Sequence, residues 1–223
     1  MIEWSAIILT LQLAAVTTVI LLIIGTPLAW WLATTRSSAK IWVEATTALP
    51  LVLPPTVLGF YLLIVLSPDS LIGAFWLATT GDTLTFNFSG LVVASIVYSL
   101  PFMVQPLQNA FESLGVETRE AAASLGASYW DTFFNVVVPQ AQRGFITAVV
   151  LTFAHTLGEF GVVLMVGGNI PERTRVVSIA IYEHVETLNY AQAHSLAALL
   201  LVFSFVVLMF VYTTNRKFTV RIV

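Results

Sequence analysis

The stretch FAHTLGEFG, residues 153–161, holds the two side chains best suited to chemistry, His155 and Glu159. Four residues apart, they would share one face of a helix. An imidazole beside a carboxylate could bind a metal, form a structural hydrogen-bonded pair or line a transport path. Metal binding is poorly supported, since two ligands do not complete a site and HTLGE lacks the second histidine of HExxH. An ionisable group in so apolar a stretch normally faces a bundle interior or a watery cavity, which leaves the other two readings open. Glu159 would repel an anion, so it is not expected to touch an anionic substrate directly. Other chemistries lack their residues. The chain has no Cys, which removes disulfides, thiolate zinc sites and cysteine nucleophiles. No GxxxxGK[ST] loop occurs; the nearest string, GNIPERT at 168–174, lacks the second glycine and the lysine. No catalytic residue and no metal site are assigned, and any ATP chemistry must come from another chain.

The elements that position these residues are membrane helices. The chain is 58% hydrophobic and 9% charged, with mean hydropathy +0.91, whereas soluble domains carry about 25% charged residues. A net charge of −3 offers no basic surface for nucleic acid. Spanning helices need ~20 apolar residues. Four charge-free stretches, and a fifth at 144–171 whose one acid is Glu159, give five spans, roughly 5–33, 44–67, 88–111, 144–168 and 191–214, with room for a sixth. The fold class is therefore all-α, a polytopic membrane helix bundle forming one domain over 1–223. The first span lacks a basic n-region and is too long for a signal peptide, so it is expected to persist as a membrane helix. The stretch after Arg216 is too short for a folded domain of its own.

Lysine and arginine near the span ends set the orientation. Arg36, Lys40, Arg119, Arg143, Arg216, Lys217 and Arg221 fall on one side, and Arg173 and Arg175 on the other, seven against two. The N-terminus is expected outside and the C-terminus in the cytoplasm. Residues 69–87 and 169–190 then face outward, each with room for a short helix near Leu71–Ala78 and Val176–Val185. Arg173 and Arg175 are candidates for an outer partner surface or gate, against the plainer reading of a solvated loop.

Span 2 reads LPLVLPPTVLGF, and its Pro54 and Pro55 should bend or interrupt the helix. Pro101 and Pro106 repeat the theme in span 3. Pro54, Pro55 and Pro101, with His155 and Glu159, are candidates for a gate or pathway, although ordinary packing kinks explain the prolines equally well. Thr17, Thr18, Gln105, Gln108, Asn109, Thr152 and Thr156 are the other polar residues at membrane depth, expected mostly as interhelical hydrogen bonds. The spans contain no Lys or Arg, so a passing anion would rely on hydroxyls, amides and helix N-termini, and would bind weakly.

Residues 112–143 join spans 3 and 4. Glu117, Glu120 and the alanines favour helix. Gly126 interrupts it, and a second helix from Ala127 carries Tyr129, Trp130, Phe133, Phe134, Val137 and Val138 on one face, with Pro139 ending it. An amphipathic helix lying on lipid is the bland reading. It is weakened by Asp131 on the polar face and by the lack of Lys or Arg between Arg119 and Arg143. Docking into a groove of a cytosolic partner fits better, with Trp130, Phe133 and Phe134 as anchors.

At these residues the chain resembles the membrane subunits of binding-protein-dependent ABC importers, whose loop reads EAA–x3–G–x9–I–x–L–P. Here Glu120, Ala121 and Ala122 are followed by Gly126, then Val136, Val138 and Pro139; valine replaces both isoleucine and leucine, and the spacing is matched in full. The resemblance implies coupling helices in 112–143 that sit in a cleft of an ATPase subunit, with Ala127 beside the glycine elbow. Two further stretches, LPLVLPPTVLGFYLL at 49–63 and LGEFGVVLMVGGNIPERTRVVSIAIYEHVE at 157–186, look like molybdate permeases; tungstate and sulfate permeases are similar. The implied assembly is a homodimer of permeases in a prokaryotic inner membrane. Two ATPase subunits holding ATP and Mg would dock inside, a soluble oxyanion-binding protein would dock outside, and this chain would carry no cofactor of its own. Two rival classes are an ion-coupled secondary transporter and an intramembrane enzyme. The first lacks the expected inverted repeat, and the second has only His155 and Glu159 to work with.

Overall fold

The structure is a computed structural model that describes residues 3–217. Its helices, in chain order, are α1 (Trp4–Thr34), α2 (Ala39–Val52), α3 (Pro55–Leu66), α4 (Leu71–Thr80), α5 (Phe88–Ser113), α6 (Gly115–Ser124) and α7 (Tyr129–Thr132). A π turn at Phe133–Val137 leads into α8 (Val138–Gln140), followed by α9 (Gln142–Leu157), α10 (Gly161–Gly167), α11 (Val177–Glu186) and α12 (Tyr190–Lys217). Arg221, one of the residues behind the expected orientation, lies outside the described residues.

α5 is the centre of the bundle, packed against α1, α9, α10 and α2. α1, free of charge from end to end and 31 residues long, spans about 46 Å. Its Pro27 has no N–H to donate one turn back, yet the helix continues; nearby, the Thr26 hydroxyl bonds the Leu22 carbonyl at 2.6 Å. Thr10, buried on α1, donates to Ala6 O and accepts from the Val177 backbone N–H at 2.9 Å, which ties α1 to the start of α11. α12 covers one side and leaves Leu201, Phe205 and Phe210 exposed, the surface expected of a lipid-facing helix.

α1, α5 and α12 are unbroken and long enough to cross a membrane. The short helices expected near Leu71–Ala78 and Val176–Val185 are present as α4 and α11. The other two expected spans are each broken into two helices. Span 2 is interrupted where Pro54 and Pro55 were expected to act, and its two helices, α2 and α3, turn by 114°. Pro54 forces the preceding Leu53 into extended backbone (φ −72°, ψ 136°), and Pro55 then starts α3 at the position where a missing N–H costs nothing. Span 4 is likewise divided at Gly158–Phe160 into α9 and α10, with no proline to announce it. In the reverse sense, Pro101 and Pro106 lie inside an intact 26-residue α5.

Candidate functional site

The segment between α5 and α9 is an elbow. α6 carries Glu120, Ala121 and Ala122 and is closed by Gly126 at φ +85°, a left-handed conformation that glycine adopts without steric penalty. The Ala127 N–H returns to Ala122 O and the Gly126 N–H to Ala123 O, satisfying the last carbonyls of α6. Ser128 caps the next helix by accepting from the Asp131 N–H. Pro139 does not end that helix as expected. The π turn routes the Val138 N–H to Phe133 O, and this wider turn leaves room for a proline ring where an α-turn would clash. The helix therefore runs on to Gln140 and bends by 72° into α9 after Ala141.

The aromatic stripe divides in two. Phe133, expected as a docking anchor, is 8% exposed and packs edge-on against Trp30 of α1, 5.3 Å between ring centres, with Phe111 of α5 beside it. The Trp30 indole donates to the Tyr129 hydroxyl at 2.5 Å, and the Arg119 guanidinium lies 5.5 Å from the Trp30 ring. Ala122 is buried with them and Ala127 is half-buried. Trp130 and Phe134 stack on each other and remain exposed, as do Glu120, Ala121, Gly126 and Pro139. Leu125, at the tip beside Gly126, is 90% exposed. Sequence reasoning missed it, although a leucine next to a helix-ending glycine was a usable signal.

The second set is buried at the break between α9 and α10. Because α9 stops at Leu157, His155 lies in its last turn and Glu159 in the break, so the expected shared helix face does not form. Each is held instead by its own serine on α5. The Ser95 hydroxyl donates to Glu159 Oε2 at 2.7 Å. Ser99 Oγ lies 3.0 Å from His155 Nδ1 and 3.1 Å from Thr156 Oγ1, and the Thr156 hydroxyl donates to Thr152 O. Ser178 of α11 donates to the Glu159 carbonyl at 2.5 Å. The His155 ring stacks on Phe102, 3.9 Å between centres. Among the described residues, Glu159 Oε1 and the hydroxyls of Thr17, Thr18 and Thr152 are buried with no hydrogen-bond partner. The two helix breaks also meet, since a Cβ on Gly161 would lie 2.8 Å from the Pro55 ring. Pro54 is exposed beside this junction, while Pro101 borders a separate groove between α5 and α9.

At the far end of the bundle, Arg173 pairs with Asp82 at 3.2 Å and is half-exposed. Arg175 is largely covered, bonded to Glu183 at 3.0 Å and Asn169 at 2.7 Å, with Glu3 at 3.8 Å. His184 also reaches Glu3 at 3.0 Å. These contacts fasten the start of α1 to α11 and the loop before it.

Comparison with known proteins places these features in context. Residues 25–220 match the family model described as the binding-protein-dependent transport system inner membrane component. A molybdenum transport system permease protein of Azotobacter vinelandii is 60% identical over 214 residues, covering 96% of this chain and 95% of the relative. A sulfate transport system permease protein of Escherichia coli is 34% identical over 201 residues, covering 90% and 72%. Among solved structures, a bacterial alginate ABC transporter in complex with an alginate pentasaccharide-bound periplasmic protein superposes with a TM-score of 0.77. It shares 18% identity and covers 98% of this chain and 80% of that one, a likeness of fold.

Proposed function

The chain belongs to the family of binding-protein-dependent transport system inner membrane components, and from that premise we propose that it is the permease through which an ATP-driven importer moves molybdate. It is a multi-pass inner-membrane protein whose family works with a binding protein and an ATPase, and it carries no ATPase motif itself. The observation that carries the substrate is the likeness to a molybdenum permease along nearly the whole chain. Tungstate shares the tetrahedral oxyanion chemistry, and the sulfate permease likeness favours sulfate or thiosulfate as the second reading.

In this reading two copies of the chain pair around a central path. The N-terminus lies outside, and the elbow of α6 and α7 enters a cleft in each of two cytoplasmic ATPase subunits, where ATP and Mg are held. Leu125, Trp130 and Phe134 form the exposed contact, with Glu120, Ala121, Gly126 and Pro139 around them. Ala122 and Phe133 brace the elbow from within. Closure of the ATPases would push the elbow. The clamp of Trp30, Tyr129 and Phe133 would pass that movement to α1, and the bend at Ala141 would pass it to α9. The meeting of the two helix breaks at Pro55 and Gly161 is the proposed gate, since irregular backbone at membrane depth is tolerated only against protein or water. Arg173 and Arg175 sit at the end where the binding protein would dock. With both arginines paired inside the chain, they are assigned to holding that surface in shape.

The test is co-purification with ATPase subunits and ATP hydrolysis in liposomes, with binding protein loaded by molybdate, tungstate or sulfate. Wild type should bind the ATPase and respond most to molybdate. Gly126→Val, which forces a β-branched residue to φ +85°, should lose coupling. Failure of wild type to bind any ATPase, or full coupling in Gly126→Val, would sink the proposal. A larger response to sulfate would transfer the assignment to the second reading.

A further inference from the structure

The last turns of α5 carry a polar face that neither the buried serines nor the elbow accounts for. Gln108 and Glu112 lie one helical turn apart there, and across from them Lys40 and Glu44 lie one turn apart on α2. The Lys40 ammonium is 3.1 Å from Glu112 Oε1 and 3.6 Å from Glu44 Oε1. The Gln108 side-chain NH2 donates to the same two oxygens, at 2.6 Å to Glu44 and 3.0 Å to Glu112. The four side chains close a ring in which each helix supplies one donor and one carboxylate. Each carboxylate oxygen is met from both helices, so α2 cannot slide along α5 here without opening the ring.

The ring sits between two moving parts of the importer. Phe111, next to Glu112, packs edge-on against Trp30 with 5.3 Å between ring centres and lies 6.3 Å from Phe133. The same turn of α5 therefore touches the elbow clamp on one face and α2 on another. Gly115, at φ +70°, then starts α6. At its other end α2 turns by 114° into α3. α3 brings Pro55 to Gly161, and its Gly59 lies so close to α10 that a Cβ there would be 2.7 Å from that of Met165. α2 itself is lightly held, with Ile41, Trp42 and Val52 exposed and only Thr47 and Pro50 buried. The bend at Ala141 reaches α9, and through it the Gly161 side of the proposed gate. The Pro55 side belongs to α3, and α2 is the helix that leads to it.

We infer that the ring of Lys40, Glu44, Gln108 and Glu112 is the strap that carries elbow movement into α2 and so to the Pro55 side of the gate, with Lys40 and Glu112 as positioning residues for transport. The inference rests on the importer reading and adds the second arm of its transmission. Exposed ion pairs contribute little to stability, so the ring acts on how α2 is aligned and not on whether the chain folds. A double-mutant test is the direct evidence for such a link, because lying between two sites is not coupling.

The experiment uses the whole complex in liposomes and reads oxyanion uptake against binding-protein-stimulated ATP hydrolysis. Lys40→Met removes the ammonium and keeps most of the stem. Uptake per ATP hydrolysed should fall about fivefold, while the melting temperature stays within about 2 °C of wild type. Lys40→Glu sets a third carboxylate beside Glu44 and Glu112 and should fall further. Lys40→Glu combined with Glu112→Lys should recover about half or more of the wild-type ratio. A ring that only solvates the helix ends predicts unchanged ratios throughout, and that result overturns the strap; so does a loss in Lys40→Glu that the reversed pair fails to recover. Because the chain has no Cys, Lys40→Cys with Glu112→Cys gives a second measure free of charge effects. Joining the two thiols with a short bifunctional maleimide should restore the ratio lost in the unjoined variant, and no recovery overturns the strap independently. Wild-type complex that moves none of molybdate, tungstate and sulfate overturns the importer reading itself, whereas wild-type uptake with unaffected variants overturns only the strap.

Discussion

Ser95 and Ser99 occupy the same helix as Gln105 and Asn109, and both pairs lie beside α9, yet they meet opposite fates. The serine row is sealed, each hydroxyl spent on a named partner, Glu159 for one and His155 with Thr156 for the other. The amide row is exposed along a groove. Phe133 and Phe134 repeat the contrast in the elbow, one wedged against Trp30 and the other exposed beside Trp130. Polar or aromatic character therefore does not by itself mark a functional surface. What marks it is whether the fold has already supplied a partner. A sealed group stabilises the fold, whereas an exposed one remains open to contact from outside the chain.

The largest test of this contrast is Phe133→Ala against Phe134→Ala. Removing Phe133 empties a packed aromatic site and should cost about 3–5 kcal/mol, read as a large fall in the detergent melting temperature. Phe134→Ala should change stability by no more than ~0.5 kcal/mol while weakening ATPase binding. Equal stability losses would erase the distinction. Next comes Glu159→Ala, which leaves the buried Ser95 hydroxyl unpaired and should cost about 1–3 kcal/mol; Glu159→Gln keeps an acceptor and should recover most of it. If Glu159→Ala lowered uptake with no loss of stability, Glu159 would belong with the open row after all. Gly144→Ala should cost about 1–3 kcal/mol by forcing α5 and α9 apart, read as a fall in the detergent melting temperature. Smallest is Ser99→Ala, about 0.5–1.5 kcal/mol, detected by melting temperature with uptake preserved once the protein is folded.

Much of this was legible in the chain. The charge-free runs marked α1, α5 and α12, because the requirement to satisfy backbone groups inside lipid leaves few alternatives to a helix. The Glu120–Pro139 spacing marked the elbow, since a left-handed glycine between two short helices is a local matter. Less was legible where partners come from afar. Tyr129 meets Trp30 across 99 positions of sequence, and no periodicity within either segment identifies the other. Phe133 and Phe134 are adjacent and nearly alike in composition, so only the position of α1 separates them.

The helix breaks draw the same line. At Pro54 and Pro55 the sequence determined the turn, because two pyrrolidine rings remove two donors and forbid helix in the residue before them. At Gly158–Phe160 no such covalent reason exists; the helix ends where Ser95 holds the Glu159 side chain and Ser178 holds its carbonyl, contacts that exist only once α5 and α11 are in place. Within α5, Pro101 and Pro106 should have disrupted a helix by local rules, and packing against α1, α9 and α10 keeps it whole. The sequence alone determined which segments are apolar enough to enter the membrane, where the glycine elbow between two short helices lies and that the chain carries no GxxxxGK[ST] loop. Tertiary structure decided which polar side chains are spent and which stay open, because that depends on the distance to a neighbouring helix and not on the residue's own type.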